Sequence, residues 1–486
     1  METEEHKLEV ICNDLLENPH CEHGPTLLFR KSVEASNKIE EYYACAAYRS
    51  LKKCGFYQKK IDRPENNQKK DHRIQNNDLV LRPRKKVCCV TICKQSNLHN
   101  DHEFIANTSD NPFQFPTKIL RPLSDDKAEA QYFFDYKTLD FLGKCVRSLG
   151  IRKIVSIGAP RLHEYLMNNR QQFKIKSFLM DLDNRFLNFF GDTEFALFNM
   201  FNFHFFEGNR KMKIFEEFLK VEDDESVLIF TDPPFGCRTE PLINTMDQMK
   251  SLYQRLNSTN AVLPIFWIFP YFSETYIKRF KPEMEMLDYK INYTNHKLYH
   301  EGYKGRKYGS PVRIFTNVPA KLIKLPESEG YKYCKDCQRW TGSENNHCDV
   351  CKKCPSKNGE IYRHCNFCAK CVKPNYKHCN ECGRCTQKEN HSCEEYQKHL
   401  CCWICRLRGH TESKCIMWRS FMKQHKNHER VFNRASNAIK KGIRMCLICA
   451  KIGHNEMSCP KRKLILKEKL FMNETINILN KSTTLE

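Results

Sequence analysis

The stretch LIFTDPPFG, Leu228 to Gly236, sets an apolar run directly against an acid, two prolines and an aromatic ring. Taken alone it reads equally well as a strand ending in a turn, because proline stops a β-ladder and aspartate favours turns. At the carboxyl end of a strand in a ligand-binding sheet, the same residues acquire distinct chemical uses. An exocyclic base amine is a poor nucleophile, since its lone pair is conjugated into the ring. Asp232 and the carbonyl of Pro233 can accept its two N–H bonds, which draws charge onto nitrogen and aims the lone pair at an electrophile. Pro233–Pro234 stiffens the turn and adds no competing donor. Phe235 offers a face on which a base taken out of its duplex or loop can stack.

Such residues need a sheet to hold them. Between about 125 and 325 the chain alternates short apolar runs with helical stretches. The runs at 153–158, 176–183, 198–206, 226–232, 263–272, 286–293 and 311–318 are expected as strands. Apolar runs without alternation are buried on both faces, as in a parallel sheet covered by helices. Intervening segments such as Tyr136 to Gly150 carry a helical period and end in glycine. The expected fold is therefore α/β, a seven-stranded doubly wound domain that binds its ligand outside the carboxyl ends of the strands. The first strand ends at Gly158 and the second carries Asp181 and Asp183. An acid at the end of the second strand suits ribose hydroxyls. No G-x-G-x-x-G is present, which argues against a buried pyrophosphate. One glycine with an acid is compatible with S-adenosylmethionine, which has no phosphate to cradle.

Outside this segment the chemistry is that of metal ligands. The chain has 28 cysteines and a charged start, METEEHKLEV, without the apolar core of a secretory signal. Disulfide frameworks belong to small secreted domains, whereas CxxC and CxxH spacings beside histidines suit zinc. Residues 12–60 supply Cys21, His23, Cys45 and Cys54, a set that resembles the GRF-type zinc finger, a module known to bind nucleic acid. Residues 82–105 offer Cys93, His99 and His102, joined by Cys88 or Cys89, as a two-Cys, two-His site. Residues 330–395 open with Cys334 and Cys337 and continue in a repeat of the form H-C-x-x-C-x-x-C. Its copies are His347, Cys348, Cys351 and Cys354; His364, Cys365, Cys368 and Cys371; and His378, Cys379, Cys382 and Cys385, closed by His391 and Cys393. These 16 potential ligands suit up to four zinc ions, with the grouping left open by the spacing. The segment has few aliphatic residues, so metal must supply much of its folding energy. Two C-x2-C-x4-H-x4-C knuckles follow, at 400–416 (Cys402, Cys405, His410, Cys415) and 444–460 (Cys446, Cys449, His454, Cys459). Knuckles of this kind usually bind single-stranded nucleic acid.

A net charge of +22 agrees with a polyanionic partner. It is concentrated late in the chain: Ile416 to Leu470 holds 14 Lys/Arg against 3 Asp/Glu, and 461–486 is expected as a basic tail. The longest apolar run, Val262 to Phe272, has eleven residues and two prolines, too short to span a bilayer, so no membrane is expected.

DPPF matches the (D/N/S)-P-P-(Y/F/W) signature of amino-methyltransferases. In order along the chain, AQYFF, GAPRLHE, LMDLD, NMFNFHFF, TDPPFG, LPIFWIFPYF and SPVRIFTN stand between the fingers and the Cys-rich array. In this arrangement the chain resembles the zinc-finger CCHC-domain ribosomal RNA N6-adenosine methyltransferases, with a second knuckle beyond that family's single one. The resemblance implies a Rossmann-like class I methyltransferase domain flanked by zinc modules. It further implies transfer of a methyl group from S-adenosylmethionine to N6 of an adenosine in large-subunit ribosomal RNA, in support of translation. By the same resemblance Gln131, Tyr132, Phe133, Phe134, Gly158, Arg161, Asp181, Asn199, Met200, Phe201 and Asp232 lie at the cofactor. Arg161 can pair with the methionyl carboxylate, Asp181 can take the ribose hydroxyls, and Asn199 to Phe201 can border the adenine. Core packing is an equal reading for Phe133 and Phe201, and His163 reads as structural. The expected partner is RNA, the expected state a monomer, and the expected location the nucleus and nucleolus, with the cytoplasm as a further site.

Three other readings compete. The Cys-rich array is loosely similar to the DHHC zinc domain of S-acyltransferases, but those enzymes need membrane spans and a D-H-H-C nucleophile, where this chain has YKHC at 376–379. A non-catalytic RNA-binding scaffold fits the zinc modules equally well, and intact Asp232 to Phe235 speaks against it. A DNA methyltransferase would share DPPF, which does not report the sugar; the knuckles favour RNA.

Overall fold

A computed structural model describes residues 6–12, 15–33, 38–48, 53–60, 86–89, 102–105, 114–123, 131–222, 225–299, 307–380, 384–387, 391–394, 430–431, 433–435, 437–438, 445–446 and 449–451. The chain divides into two compact units, one of residues 1–333 and 338–341, the other of 334–337 and 342–486. The residues of the N-terminal finger and of the catalytic segment fall in the same unit, a question the sequence leaves open.

The first unit is built on an eight-stranded sheet. Its strands are β1 (Lys153–Ile157), β2 (Lys176–Asp181), β3 (Phe195–Asn199), β4 (His204–Phe205), β5 (Val227–Thr231), β6 (Ile265–Pro270), β7 (Glu285–Met286) and β8 (Val312–Thr316). They lie in the order β4-β3-β2-β1-β5-β6-β8-β7. The five from β3 to β6 run parallel, while β4, β7 and β8 pair antiparallel at the two edges. The order reverses direction between β1 and β5, which is the switch point where a doubly wound sheet leaves a crevice for ligand.

Helices cover both faces. Ile154, Leu228, Phe230 and Ile268 point to one side, under α1 (Tyr136–Ser148) and α2 (Pro160–Asn168). Their sequence neighbours Val155, Ile229 and Trp267 point to the other, under α3 (Gly208–Leu219) and α4 (Thr239–Leu256). This two-sided burial is why the strands read as unbroken apolar runs. Asp135 caps α1 by accepting from the Thr138 amide at 2.8 Å, and Pro160 opens α2 where no amide partner is needed.

Two strands depart from expectation. The run 198–206 was expected as a single strand; instead β3 ends at Asn199, and the chain turns and returns as β4, pairing Asn199 with His204. Phe203 adopts the left-handed φ of +56° in that turn. Aromatic residues on both sides hide the reversal in the sequence. The run 286–293 contributes to a strand only at its start, Glu285–Met286, although Leu287 and Ile291 still donate to Ile314 and Val312.

The second unit holds together differently. Among its described residues the only buried apolar side chains are Ala435 and Cys446, while Val350 and Phe367 are exposed. In place of a core it has clusters of Cys and His whose ligand atoms lie within 4.8 Å of one another. They are Cys334, Cys337, His347 and Cys354; Cys348, Cys351, His364 and Cys371; Cys365, Cys368, His378 and Cys385; and Cys379, His391 and Cys393. Cys382 lies outside the described residues. Sulfur pairs stand 3.8 Å apart in Cys337–Cys354, 3.7 Å in Cys351–Cys371 and 3.6 Å in Cys368–Cys385. Four thiolates around a tetrahedral zinc would be separated by about 3.8 Å, so the donor sets fit such an ion.

The grouping left open by the repeat is an interlock. The first two copies each give their His and last Cys to the preceding cluster and their first two Cys to the next; the third gives His378 and Cys385 back and Cys379 forward. Adjacent residues such as His347 and Cys348, or His364 and Cys365, therefore belong to different clusters.

Two outcomes are expected. Truncating Phe230, fully buried on β5, to alanine should destabilise the first unit by about 3–5 kcal/mol, checked by chemical denaturation. Replacing Cys351 by serine should remove at least one metal ion per chain in elemental analysis of the purified protein, whereas unchanged metal content would contradict the grouping.

Candidate active site

The carboxyl ends of β1, β2 and β5 converge on Gly158. Its amide donates to Met180 O at 2.9 Å, and the Asp232 amide donates to Ile157 O at 3.0 Å. Gly158 has a φ of +65°, and a Cβ there would lie 2.9 Å from Met200 Cε and 3.0 Å from Asp232 O. Both the backbone conformation and the space therefore require glycine. The effect is to bring together a strand-end glycine, the Met200 turn and the acid of DPPF.

Asp232 is half-buried, and its Oδ1 accepts from the Tyr293 hydroxyl at 3.1 Å. Burial pushes its pKa well above the ordinary carboxylate range, with the Tyr293 bond pulling the other way. The Tyr293 hydroxyl is itself fixed in its neutral form by burial and by Asp232. Pro233 is buried, and Pro234 O accepts from the Cys237 amide at 2.9 Å, which closes the turn. Phe235 sits half-buried in an aromatic surround. Its ring centroid is 6.3 Å from Tyr132 and nearly parallel to it, 6.1 Å from Tyr293 and 6.0 Å from Tyr299.

The acid of β2 is held by a second network. Asp181 Oδ1 accepts from the Asp183 amide at 2.9 Å, and Asp183 is clamped by Arg185 through Nη2 at 2.7 Å. Gln131 braces the clamp: its Nε2 donates to Asp183 at 2.9 Å, and its Oε1 accepts from Arg185 and from the Leu123 amide, each at 3.2 Å. Its amide is thus engaged with protein on both sides. Burial, reinforced by the charge of Asp183, raises the Asp181 pKa to about 7.

The other expected residues are distributed around these two acids. The Arg161 guanidinium lies 5.7 Å over the Phe133 ring and 5.5 Å over Tyr136, and donates to Thr294 Oγ1 at 3.1 Å. Phe133 is nearly buried, and its amide donates to Asn295 Oδ1 at 2.8 Å. Phe134 belongs to the core, edge-on to Phe230. Asn199 Oδ1 accepts from the Phe201 amide at 3.1 Å, folding the turn that carries Met200. His163 is structural, as expected: it is buried, its Nδ1 is 2.8 Å from Ser177 Oγ, and burial lowers its pKa to about 3.

The segment Tyr293 to Tyr299 enters the site without having been singled out in the sequence. Thr294 N donates to Phe133 O at 2.8 Å and Asn295 Nδ2 to Gln131 O at 2.7 Å, sewing the segment onto the QYFF stretch. His296 stacks on Tyr299 at 3.6 Å and meets Tyr132 edge-on at 4.6 Å. Its only sequence signal is a run of aromatic and polar residues after an apolar stretch.

Cys21, His23, Cys45 and Cys54 come together with ligand atoms within 4.8 Å. His23 Nδ1 is buried and has no hydrogen-bond partner, which suits a metal ligand. In 82–105 the backbone strands Lys86–Cys89 and His102–Ile105 pair in parallel; Cys93 and His99, and the side chains of Cys89 and His102, lie outside the described residues. So do Cys402, Cys405, His410 and Cys415, and, of the second knuckle, His454 and Cys459. Cys446 accepts from Ala450 and donates to Lys451 through its backbone, which forms a tight turn beside Cys449. No helix among the described residues is long and apolar enough to cross a membrane.

With this geometry established, comparison with known proteins is specific. A family model described as "Probable N6-adenine methyltransferase" matches residues 125–298, the segment that carries both acids, the Met200 turn and Tyr293. The human rRNA N(6)-adenosine-methyltransferase ZCCHC4 is 38% identical over 452 residues, covering 87% of this chain and 87% of that protein. The mouse protein of the same name is 39% identical over 359 residues, covering 68% of this chain and 70% of its own length. The Xenopus laevis protein is 39% identical over 355 residues, with 68% and 72% covered. A strand-end acid, a proline turn and an aromatic surround, set in a sheet of this order and matched over most of the chain, place it in one group: the chain belongs to the ZCCHC4 family of rRNA N(6)-adenosine-methyltransferases.

Proposed function

We propose that this chain transfers the methyl group of S-adenosylmethionine to N6 of an adenosine in large-subunit ribosomal RNA. The observation that carries the reading is Asp232: an acid at the switch point, fixed through Oδ1 by Tyr293 and flanked by the Pro233 carbonyl and the Phe235 ring. S-adenosylmethionine supplies an electrophilic methyl group on a positively charged sulfur. The residues present fit it: a glycine cradle that a Cβ would fill at Gly158, a buried acid at the end of β2, and Arg161 on the same rim.

The roles follow from the chemistry of a weak nucleophile. Asp232 and Pro233 O accept the two N–H bonds of the amine, so nitrogen gains electron density as it attacks. Phe235, with Tyr132 beside it, stacks on the base and restricts its rotation. With the cofactor bound, the Asp232 carboxylate would stabilise the positive charge that develops on the amine nitrogen as it takes up the methyl group, and would accept the proton that nitrogen then releases. Asp181 would hold the cofactor through its ribose hydroxyls, and Arg161 would pair with its carboxylate. In the metal clusters, thiolate and imidazole donors at tetrahedral spacing point to zinc.

Asp232→Ala should lower the rate of methyl transfer by at least about 10²-fold while leaving RNA binding and metal content unchanged. Full activity in this variant would contradict the assignment. Because the raised pKa of Asp232 must be exceeded for the carboxylate to be charged, the rate should fall on acidification at a pH well above the ordinary carboxylate range. Cofactor affinity should weaken as pH falls through about 7, where Asp181 takes up its proton. Rates and S-adenosylmethionine affinities measured across pH 5 to 9 test both statements, and flat profiles would contradict them.

A further inference from the structure

The turn that carries Met200 is bonded to the N-terminal finger. Asn199 Nδ2 donates to His23 O at 3.0 Å, and Asn202 Nδ2 donates to His23 O at 3.0 Å and to Pro25 O at 2.7 Å. Both asparagines are buried, at 1% and 4% exposure, so these bonds are shielded from water and costly to lose. The accepting carbonyls belong to a metal-ligating residue and to the strand just after it, which pairs Cys21 with Gly24 and His20 with Pro25.

A steric contact points the same way. Gly24 has a φ of +92°, and a Cβ on it would lie 2.4 Å from the Cγ of His204, the residue on β4 that pairs with Asn199. The finger therefore touches both arms of the β3–β4 hairpin, and glycine is what allows the approach. On the other side of the same hairpin, Met200 presses against Gly158 at the cofactor cradle. A continuous chain of contacts thus runs from the finger's ligands through Asn199 and Asn202 to Met200, Gly158 and Asp232.

We propose that the Cys21, His23, Cys45 and Cys54 finger is a positioning element of the catalytic domain. With metal bound, it fixes the carbonyls of His23 and Pro25, and these set the Met200–Phe201 turn through the two asparagine amides. The finger's contribution is then to cofactor affinity, in addition to any grip on RNA. The residues themselves fit the metal: four ligand atoms within 4.8 Å and an orphaned buried His23 Nδ1. This inference rests on S-adenosylmethionine being the cofactor. Asn202 acts in it through Met200 and is a positioning residue.

The test is calorimetric titration of S-adenosylmethionine into the full-length chain, alongside metal content, RNA affinity and steady-state kinetics. Asn202→Ala removes both of its bonds to the finger, and the expected result is a Kd raised about five- to tenfold. KM for S-adenosylmethionine should rise with it, with kcat at saturation, RNA affinity and metal content unchanged. A merely structural role would lower thermal stability without moving Kd. Cys54→Ser, which strips the finger of a ligand, should raise Kd at least as much, with the metal of the second unit retained. Should that variant fail to fold, Asn202→Ala still decides. Wild-type Kd in Asn202→Ala, or a loss confined to RNA affinity, would overturn the proposal. A wild-type chain that binds no S-adenosylmethionine would instead overturn the functional reading beneath it, and the two failures are distinguishable.

Discussion

The catalytic end of the sheet depends on how closely three backbones meet at Gly158. With hydrogen in place of a side chain, the end of β1 lets the Asp232 carbonyl and the Met200 methyl approach to distances that any Cβ would block. That approach fixes where β5 delivers its acid and where the β3–β4 turn comes to rest. It also leaves Asp232 among protein atoms, so that burial raises its pKa and the Tyr293 hydroxyl becomes its one charge-stabilising side-chain bond among the described residues. A carboxylate kept in this state is a strong hydrogen-bond acceptor, which is what a conjugated amine requires.

The two units solve the problem of stability by different means. The first buries aromatic and branched side chains on both faces of the sheet, with Trp267, Phe178 and Phe215 fully enclosed. The second, among its described residues, has almost no apolar interior and instead gathers Cys and His into clusters that share neighbours along the chain. In that interlock the two middle clusters each draw ligands from two successive copies of the repeat, so metal bound in one cluster would impose order on the next through a single peptide bond. The finger combines both strategies, since Cys21 and His23 of its ligand cluster lie at a turn whose backbone is bonded to the β3–β4 hairpin.

Much of this was legible in the sequence. Five of the seven expected strands lie within two residues of their observed ends, because two-sided burial writes an unambiguous apolar run. The acid-proline-proline-aromatic stretch, Gly158 and Asp181 were expected at strand ends, and the structure sets them at the carboxyl ends of β5, β1 and β2. The failures have physical causes. The run at 198–206 conceals a reversal because Phe198, Phe203 and Phe205 are apolar on both arms of the hairpin, and the amides that make the turn, Asn199 and Asn202, bond to the distant finger. Tyr293 reaches Asp232 across 61 positions of sequence, a contact that no local pattern reports. The bonds from the Gln131 amide to Asp183 and Arg185 likewise span more than fifty positions, beyond the reach of any local pattern. The pairing of ligands in the array was unreadable because the clusters cut across the repeat.

The central claim is that Asp232 and its surround methylate an adenosine of large-subunit ribosomal RNA. It is tested most directly by mass spectrometry of ribosomal RNA from cells lacking the protein, complemented with either the wild-type chain or the Asp232→Ala variant. The account predicts that N6-methyladenosine is lost at one large-subunit position and restored only by the wild-type chain. Unchanged methylation in cells lacking the protein, or restoration by Asp232→Ala, would contradict it.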